Sequence, residues 1–206
     1  MKSVVCSMFA CVMMAASAWA QTPAAPAPAA AGQKIPLNEG LRRSYNSLKM
    51  NLTETAQKLP EADYNYRPSP DIRVFGAQLT HVANSQFNAC SAARGEANPN
   101  QGTNLEQTKT TRDDIIKALA DSFAFCDPVF ASLTDQSALE LVKQGANEVS
   151  RGGVLANMIV HGTLEYGALT VYLRTKGMVP PSTERGMRGR GAAPAPAPAP
   201  ATPVAK

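Results

Sequence analysis

Between residues 37 and 184 the apolar positions recur with helical spacing, and no stretch alternates with the period of two that a half-buried strand would show. Leu41, Tyr45, Leu48, Leu52, Ala56 and Leu59 step by four, three, four, four and three, laying one apolar stripe along a first helix closed by Pro60. From Pro60 to Asp71 a proline-bracketed linker carries Tyr64 and Tyr66, two side chains able to anchor an ordered crossover. A second helix is predicted from about Val74 to Ala93, with Gly95 as its C-terminal cap. Glu96 to Thr110 read as a long polar surface loop.

A third helix is announced by Thr111-Arg112-Asp113-Asp114, where a hydroxyl and two first-turn carboxylates answer free amides and the helix dipole. Its stripe is Ile115, Ile116, Leu119, Phe123, Val129, Phe130 and Leu133, and Pro128 inside it predicts a kink or a break near Asp127. Ser137 to Lys143 are expected to form a short extra helix, and a fourth long helix runs from near Ser150 to Gly177, stopped by Val179-Pro180-Pro181. Four long helices and no strands predict an all-α fold, a four-helix bundle. No internal repeat at solenoid periods competes with that reading.

Composition changes the picture mainly at the ends. Eight of the 16 prolines fall in QTPAAPAPAAAG (21–32) and GAAPAPAPAPATPVAK (191–206), so residues 21–36 read as an Ala/Pro-rich linker and 185–206 as an Arg/Gly then Ala/Pro-rich disordered tail, flanking one domain at 37–184. The first twenty residues join Lys2 to an apolar run ending in Ala18-Trp19-Ala20, the pattern of a signal peptide cleaved near Ala20, which predicts a periplasmic or secreted protein without a membrane anchor. Loss of Lys2 lowers the formal net charge from +4 to +3 and leaves two cysteines, Cys90 and Cys126. A charge this small on an exported chain argues against a nucleic-acid partner and names no other. A homodimer is compatible with such a surface.

The chemistry concentrates in the fourth helix. Val154, Met158, His161, Glu165, Ala168 and Tyr172 form a stripe expected to face the bundle interior. An ionised carboxylate there costs several kcal/mol unless it is paired, protonated or bound to a cation, so Glu165 needs a partner, with Arg151 or Arg174 as the plain alternatives. The i, i+4 spacing of His161 and Glu165 lets both converge on one point, as helices do when presenting two metal ligands. His81, the other of only two histidines, would complete a set of two imidazoles and a carboxylate. On the helical wheel, however, His81 lies opposite the Phe75, Leu79, Val82 and Gln86 stripe, on a face of small residues that could line a cavity or a surface. Asn84 and Asn157, near the two histidines, are either polar neighbours of such a site or ordinary boundary amides.

The cysteines admit a disulfide in an oxidising compartment, but helix arithmetic argues against it. If the second and third helices run antiparallel, Cys126 lies about 20 Å from the end that Cys90 occupies, too far unless the loop permits a large stagger, which favours two separate thiols over a bridge without deciding between them.

Leu59-Pro60-Glu61-Ala62-Asp63-Tyr64-Asn65-Tyr66-Arg67-Pro68, Phe75-Gly76 through His81-Val82-Ala83, and His161 through Tyr166-Gly167 with Tyr172-Leu173-Arg174 and Gly177-Met178-Val179-Pro180-Pro181-Ser182 resemble the DinB-like family in order and spacing. The resemblance implies a four-helix bundle with crossover connections. It also implies a divalent metal on three histidines, one in the second helix and two spaced i, i+4 in the last, with the His81 side chain directed inward. Matched position by position, these fall on His81, His161 and Glu165, so one imidazole is replaced by a carboxylate that zinc, nickel, manganese or iron accepts. Known activities in the family imply a metal-dependent S-transferase, or by extension a hydrolase, acting on a small-molecule substrate that no residue here identifies. The competing reading is a non-catalytic periplasmic binding or stress-related bundle with a vestigial metal site.

Overall fold

The computed structural model describes residues 32–101 and 103–189. Four long helices carry the fold: α1 (Leu37–Lys58), α2 (Phe75–Arg94), α4 (Arg112–Ser132) and α6 (Arg151–Thr175), with short helices α3 (Leu105–Thr108), α5 (Asp135–Leu139) and α7 (Pro181–Gly189) between and after them. Strands β1 (Leu141–Gln144) and β2 (Asn147–Ser150) form an antiparallel hairpin, Val142 opposite Val149, between α5 and α6. The architecture is all-α in substance, as the apolar spacing predicts. Among the described residues no helix is long and apolar enough to cross a membrane.

The long helices form a ring in which α2 and α1 each pack against both α4 and α6. Their directions can be read from side-chain contacts. Ile115 sits beside Gly76 and Ser122 Oγ bonds Gln86 Oε1 at 2.6 Å, so α4 runs parallel to α2. Arg151 Nε reaches Ala93 O at 2.9 Å and Tyr172 Oη reaches Arg73 O at 2.6 Å, so α6 runs antiparallel to α2. The parallel pair is possible because residues 95–101 and 103–111 cross back along α2, held by buried Leu105 of α3 against Ala83, Phe87 and Ala118. The linker after α1 is anchored as its tyrosines predict. Tyr64 is buried with its hydroxyl on Ala56 O, and Tyr66 packs edge-on to Tyr172.

The helix ends follow local chemistry. Thr111 Oγ1 accepts from Asp114 N, Ser150 Oγ accepts from Gly153 N, and Gly95 closes α2 at φ 69° in the left-handed region.

Five expectations need correction. The break near Asp127 that Pro128 allowed does not occur, and α4 runs through to Ser132. Pro128 and Ala124, whose carbonyl loses its partner, both lie on the solvent side, where water replaces the missing bond. The expected helix at Ser137–Lys143 is α5 followed by the first strand of the hairpin, whose turn holds Gly145 at φ 62°. Arg185 does not open an extended tail. It belongs to α7 and pairs with Glu54 and Asn51 of α1, while Glu184 pairs with Lys58. Cys90 and Cys126 form a disulfide, Cα–Cα 5.5 Å. The arithmetic against it assumed antiparallel helices, and parallel α2 and α4 bring the two cysteines level. Finally, Arg151 and Arg174 are not partners of Glu165. Arg151 binds Glu140 and Ala93 O, and Arg174 reaches Thr183. The expected signal peptide at 1–20, the linker up to Ala31 and the tail from Arg190 lie outside the described residues.

Candidate metal centre

Antiparallel packing of α2 and α6 places Gln78, His81 and Ser85, spaced i, i+3 and i+7 on one face of α2, against His161 and Glu165 of α6. The small-residue face of α2, which the wheel left undecided, is thus the face turned to α6. His81 Nε2 and His161 Nδ1 each lie 3.7 Å from Glu165 Oε1, and the two imidazoles meet edge to face at 5.2 Å between centroids. One ligand atom from each of the three residues lies within 4.8 Å of the others.

The donor set suits a divalent cation. Bonds of about 2.1 Å in a tetrahedral set would leave ligand atoms about 3.4 Å apart, so small side-chain rotations from 3.7 Å suffice. Glu165 is only 18% exposed, and among the described residues it pairs with no lysine or arginine. Gln78, itself buried, donates its amide to Glu165 Oε2, which leaves Oε1 aimed at the histidines. The carboxylate therefore has a neutral hydrogen-bond partner and two imidazoles around it, and lacks the fixed positive charge that partial burial calls for.

Each histidine is also held on its other side. His81 Nδ1 lies 2.8 Å from Glu106 Oε1, and Arg73 Nε donates to Glu106 Oε2 at 2.9 Å. Burial alone would raise the Glu106 pKa, but hydrogen bonds from Arg73 and His81 outweigh it and hold the carboxyl below its ordinary range. His161 Nε2 lies 3.0 Å from Ser85 Oγ.

Of the residues singled out in the sequence, His81, His161 and Glu165 come together, while the two asparagines do not join them. Asn84 pairs with Asn104, and Asn157 is exposed. Glu106, Ser85 and Gln78 were not foreseen. Ser85 stands one turn beyond His81, a spacing that could have marked it. Asn104-Leu105-Glu106 was readable as an Asn cap before a lone leucine in a polar loop, the signature of a short anchored helix. A groove of about 670 Å³, lined largely by Asn84, Asn88, Asn98, Asn100 and Asn104, adjoins this centre and meets it at Glu106.

The sequence model of the DinB superfamily matches residues 45–168, more than half of the chain and both helices of the centre. The chain belongs to the DinB superfamily. The resemblance read from separated motifs is thereby shown. Among solved structures, it is similar to a DinB-like protein from Bacillus cereus at 16% identity and a TM-score of 0.59, over 69% of this chain and 95% of that one. It is also similar to a conserved protein from Enterococcus faecalis (15%, TM-score 0.54, 68% and 96%) and to a DinB-like protein from Bacillus subtilis (16%, TM-score 0.54, 68% and 93%). At such identities these likenesses show the DinB-like fold alone. No curated protein matches the chain.

Proposed function

We propose that this is an exported DinB-like domain that binds one divalent metal ion through His81, His161 and Glu165 and uses it in transfer or hydrolysis of a small molecule. The observation that carries the reading is the convergence of three ligand atoms within 4.8 Å at a partly buried carboxylate that pairs with no lysine or arginine among the described residues. When bound, the ion would supply Lewis acidity, lowering the pKa of a thiol or water brought to it.

The chain's own residues set the terms of that chemistry. His81 and His161 contribute neutral nitrogen donors, and Glu165 contributes one negative charge where a third imidazole would contribute none. Gln78 keeps Glu165 from swinging away by holding Oε2. The side chains of His81 and His161 are 23% and 33% exposed, so the centre is partly open to solvent and a solute can reach it.

Export is supported by the pattern of the first twenty residues and by the Cys90–Cys126 disulfide, a bond that persists in oxidising compartments. A second reading, a binding module without catalysis, is favoured by the Ala/Pro repeats at both ends, which suit spacers or partner-protein ligands.

Metal analysis of untagged protein is the deciding experiment. The wild type should carry one divalent ion per chain, and Glu165→Ala and His161→Ala should each lose most of it. Equal metal in all three proteins would sink the site.

A further inference from the structure

The two imidazoles are turned in opposite senses. His81 directs Nδ1 to Glu106 and Nε2 to Glu165, whereas His161 directs Nε2 to Ser85 and Nδ1 to Glu165. An ionised carboxylate can only accept, so the His81 nitrogen that faces Glu106 carries the proton, and in the neutral ring the lone pair then sits on Nε2. A serine hydroxyl can donate or accept, so Ser85 accommodates His161 without dictating its tautomer. Glu165 also faces both rings, but at 3.7 Å it is beyond hydrogen-bond distance, whereas Glu106 at 2.8 Å is within it, so Glu106 decides where the His81 proton sits.

The fold delivers Glu106 with a purpose-built anchor. Helix α3 is a single turn in an otherwise polar crossover, yet Leu105 within it is 3% exposed and packed among Ala83, Phe87 and Ala118. Asn104 Oδ1 accepts from Glu106 N at 3.0 Å and from Asn84 Nδ2 at 3.2 Å, tying the turn to α2 about one helical turn after His81. Arg73, just before α2, then occupies the second carboxylate oxygen. The Glu106 carboxylate is thus fixed from three directions before it meets His81.

We infer that Glu106 is the positioning residue of this centre: it locks His81 in the Nδ1–H tautomer, so that His81 offers Nε2 and His161 offers Nδ1 to the ion. The part concerning the ion rests on the metal reading above, while the tautomer of His81 does not. Carboxylates behind metal-binding histidines fix ring orientation and raise ligand basicity, and their loss typically lowers metal affinity 10- to 100-fold.

Two histidines in the whole chain make the test direct. Long-range ¹H–¹⁵N spectra of the ¹⁵N-labelled, metal-free full chain at about pH 8, above the ordinary imidazole pKa, distinguish the tautomers, with His161→Ala assigning the two rings. His81 should appear as Nδ1–H in the wild type and shift toward Nε2–H in Glu106→Ala. Glu106→Gln, whose amide oxygen still accepts, should keep Nδ1–H and serves if the alanine variant folds poorly. Zinc affinity by chelator competition should fall about 10- to 100-fold in Glu106→Ala and less in Glu106→Gln. A wild-type His81 in the Nε2–H form, or one unchanged in Glu106→Ala, overturns the inference. A wild type that shows Nδ1–H but takes up no zinc upholds the positioning role of Glu106 and removes the metal reading instead.

Discussion

Glu165 stands where the family resemblance implies a third imidazole, and it is held by three side chains that a histidine there would also meet. Gln78 donates to one oxygen, and both histidines face the other. Replacing Glu165 by histidine should therefore retain a bound divalent ion, because the backbone position and its two partners are unchanged. Metal content of Glu165→His equal to that of Glu165→Ala would show that the site depends on the negative charge. Next to His161, Gly162 lies against α1 so closely that a Cβ would fall 2.6 Å from Leu48 Cδ2. Gly162→Ala must displace the end of buried Leu48, and the overpacking of about 1–3 kcal/mol, offset by about 1 kcal/mol of helix propensity, should leave a net cost of up to about 2 kcal/mol, read as a lower urea midpoint. Half of the centre was legible at this scale: His161 and Glu165 share a helix, and their i, i+4 spacing reports convergence without any tertiary knowledge. His81 was not, because a helix packed on two sides has two apolar faces and a wheel cannot say which one a small-residue face meets. Glu106 was hidden for the opposite reason, as a charged residue in a polar loop carries no periodicity at all.

Among the elements, the crossover between α2 and α4 decides most of what the sequence did and did not reveal. The helices themselves were readable from spacing and caps, since Thr111, Ser150 and Gly95 act locally. Relative direction was not, because a loop of polar residues looks the same whether it turns or returns. Buried Leu105 makes it return, and that single anchor aligns Cys90 with Cys126 as well as Glu106 with His81. The disulfide spans a sequence separation of 36 residues, for which chain-entropy arguments give about 4 kcal/mol and experience with such bonds about 2–4 kcal/mol. Reduction, or paired replacement by serine, should lower the unfolding free energy by that amount while leaving the helical circular dichroism of the native state intact. Unchanged urea midpoints with and without reductant would contradict a stabilising bridge.

Across the whole molecule, three buried tyrosines tie one element to another, two of them across a long stretch of chain. Tyr45 of α1 donates to Asp127 Oδ1 of α4 at 2.7 Å with Phe123 O beside it at 3.1 Å, Tyr64 of the linker donates to Ala56 O of α1, and Tyr172 of α6 donates to Arg73 O before α2. Burial is the main cause that raises all three phenols above their ordinary value of 10, Tyr64 to about 12, with Asp127 adding to the effect at Tyr45. A group whose folded pKa is raised contributes stability that is complete below the unfolded pKa and is lost as pH rises through the folded one. Above about pH 10 the unfolded chain releases these protons while the bundle retains them, so each tyrosine should lower stability by up to about 1.4 kcal/mol per pH unit. For Tyr64 the window runs from about 10 to about 12. Urea midpoints should fall steeply over that range, and the share of tyrosinate absorbance that Tyr45→Phe, Tyr64→Phe and Tyr172→Phe remove should appear together with unfolding instead of ahead of it. Tyr64→Phe should be less stable at neutral pH, having lost its bond to Ala56, yet show a shallower alkaline decline. Phenols that titrate freely in the folded protein near pH 10, with the midpoint unmoved, would mean that the three hydroxyls are not the buried clasps between helices described above.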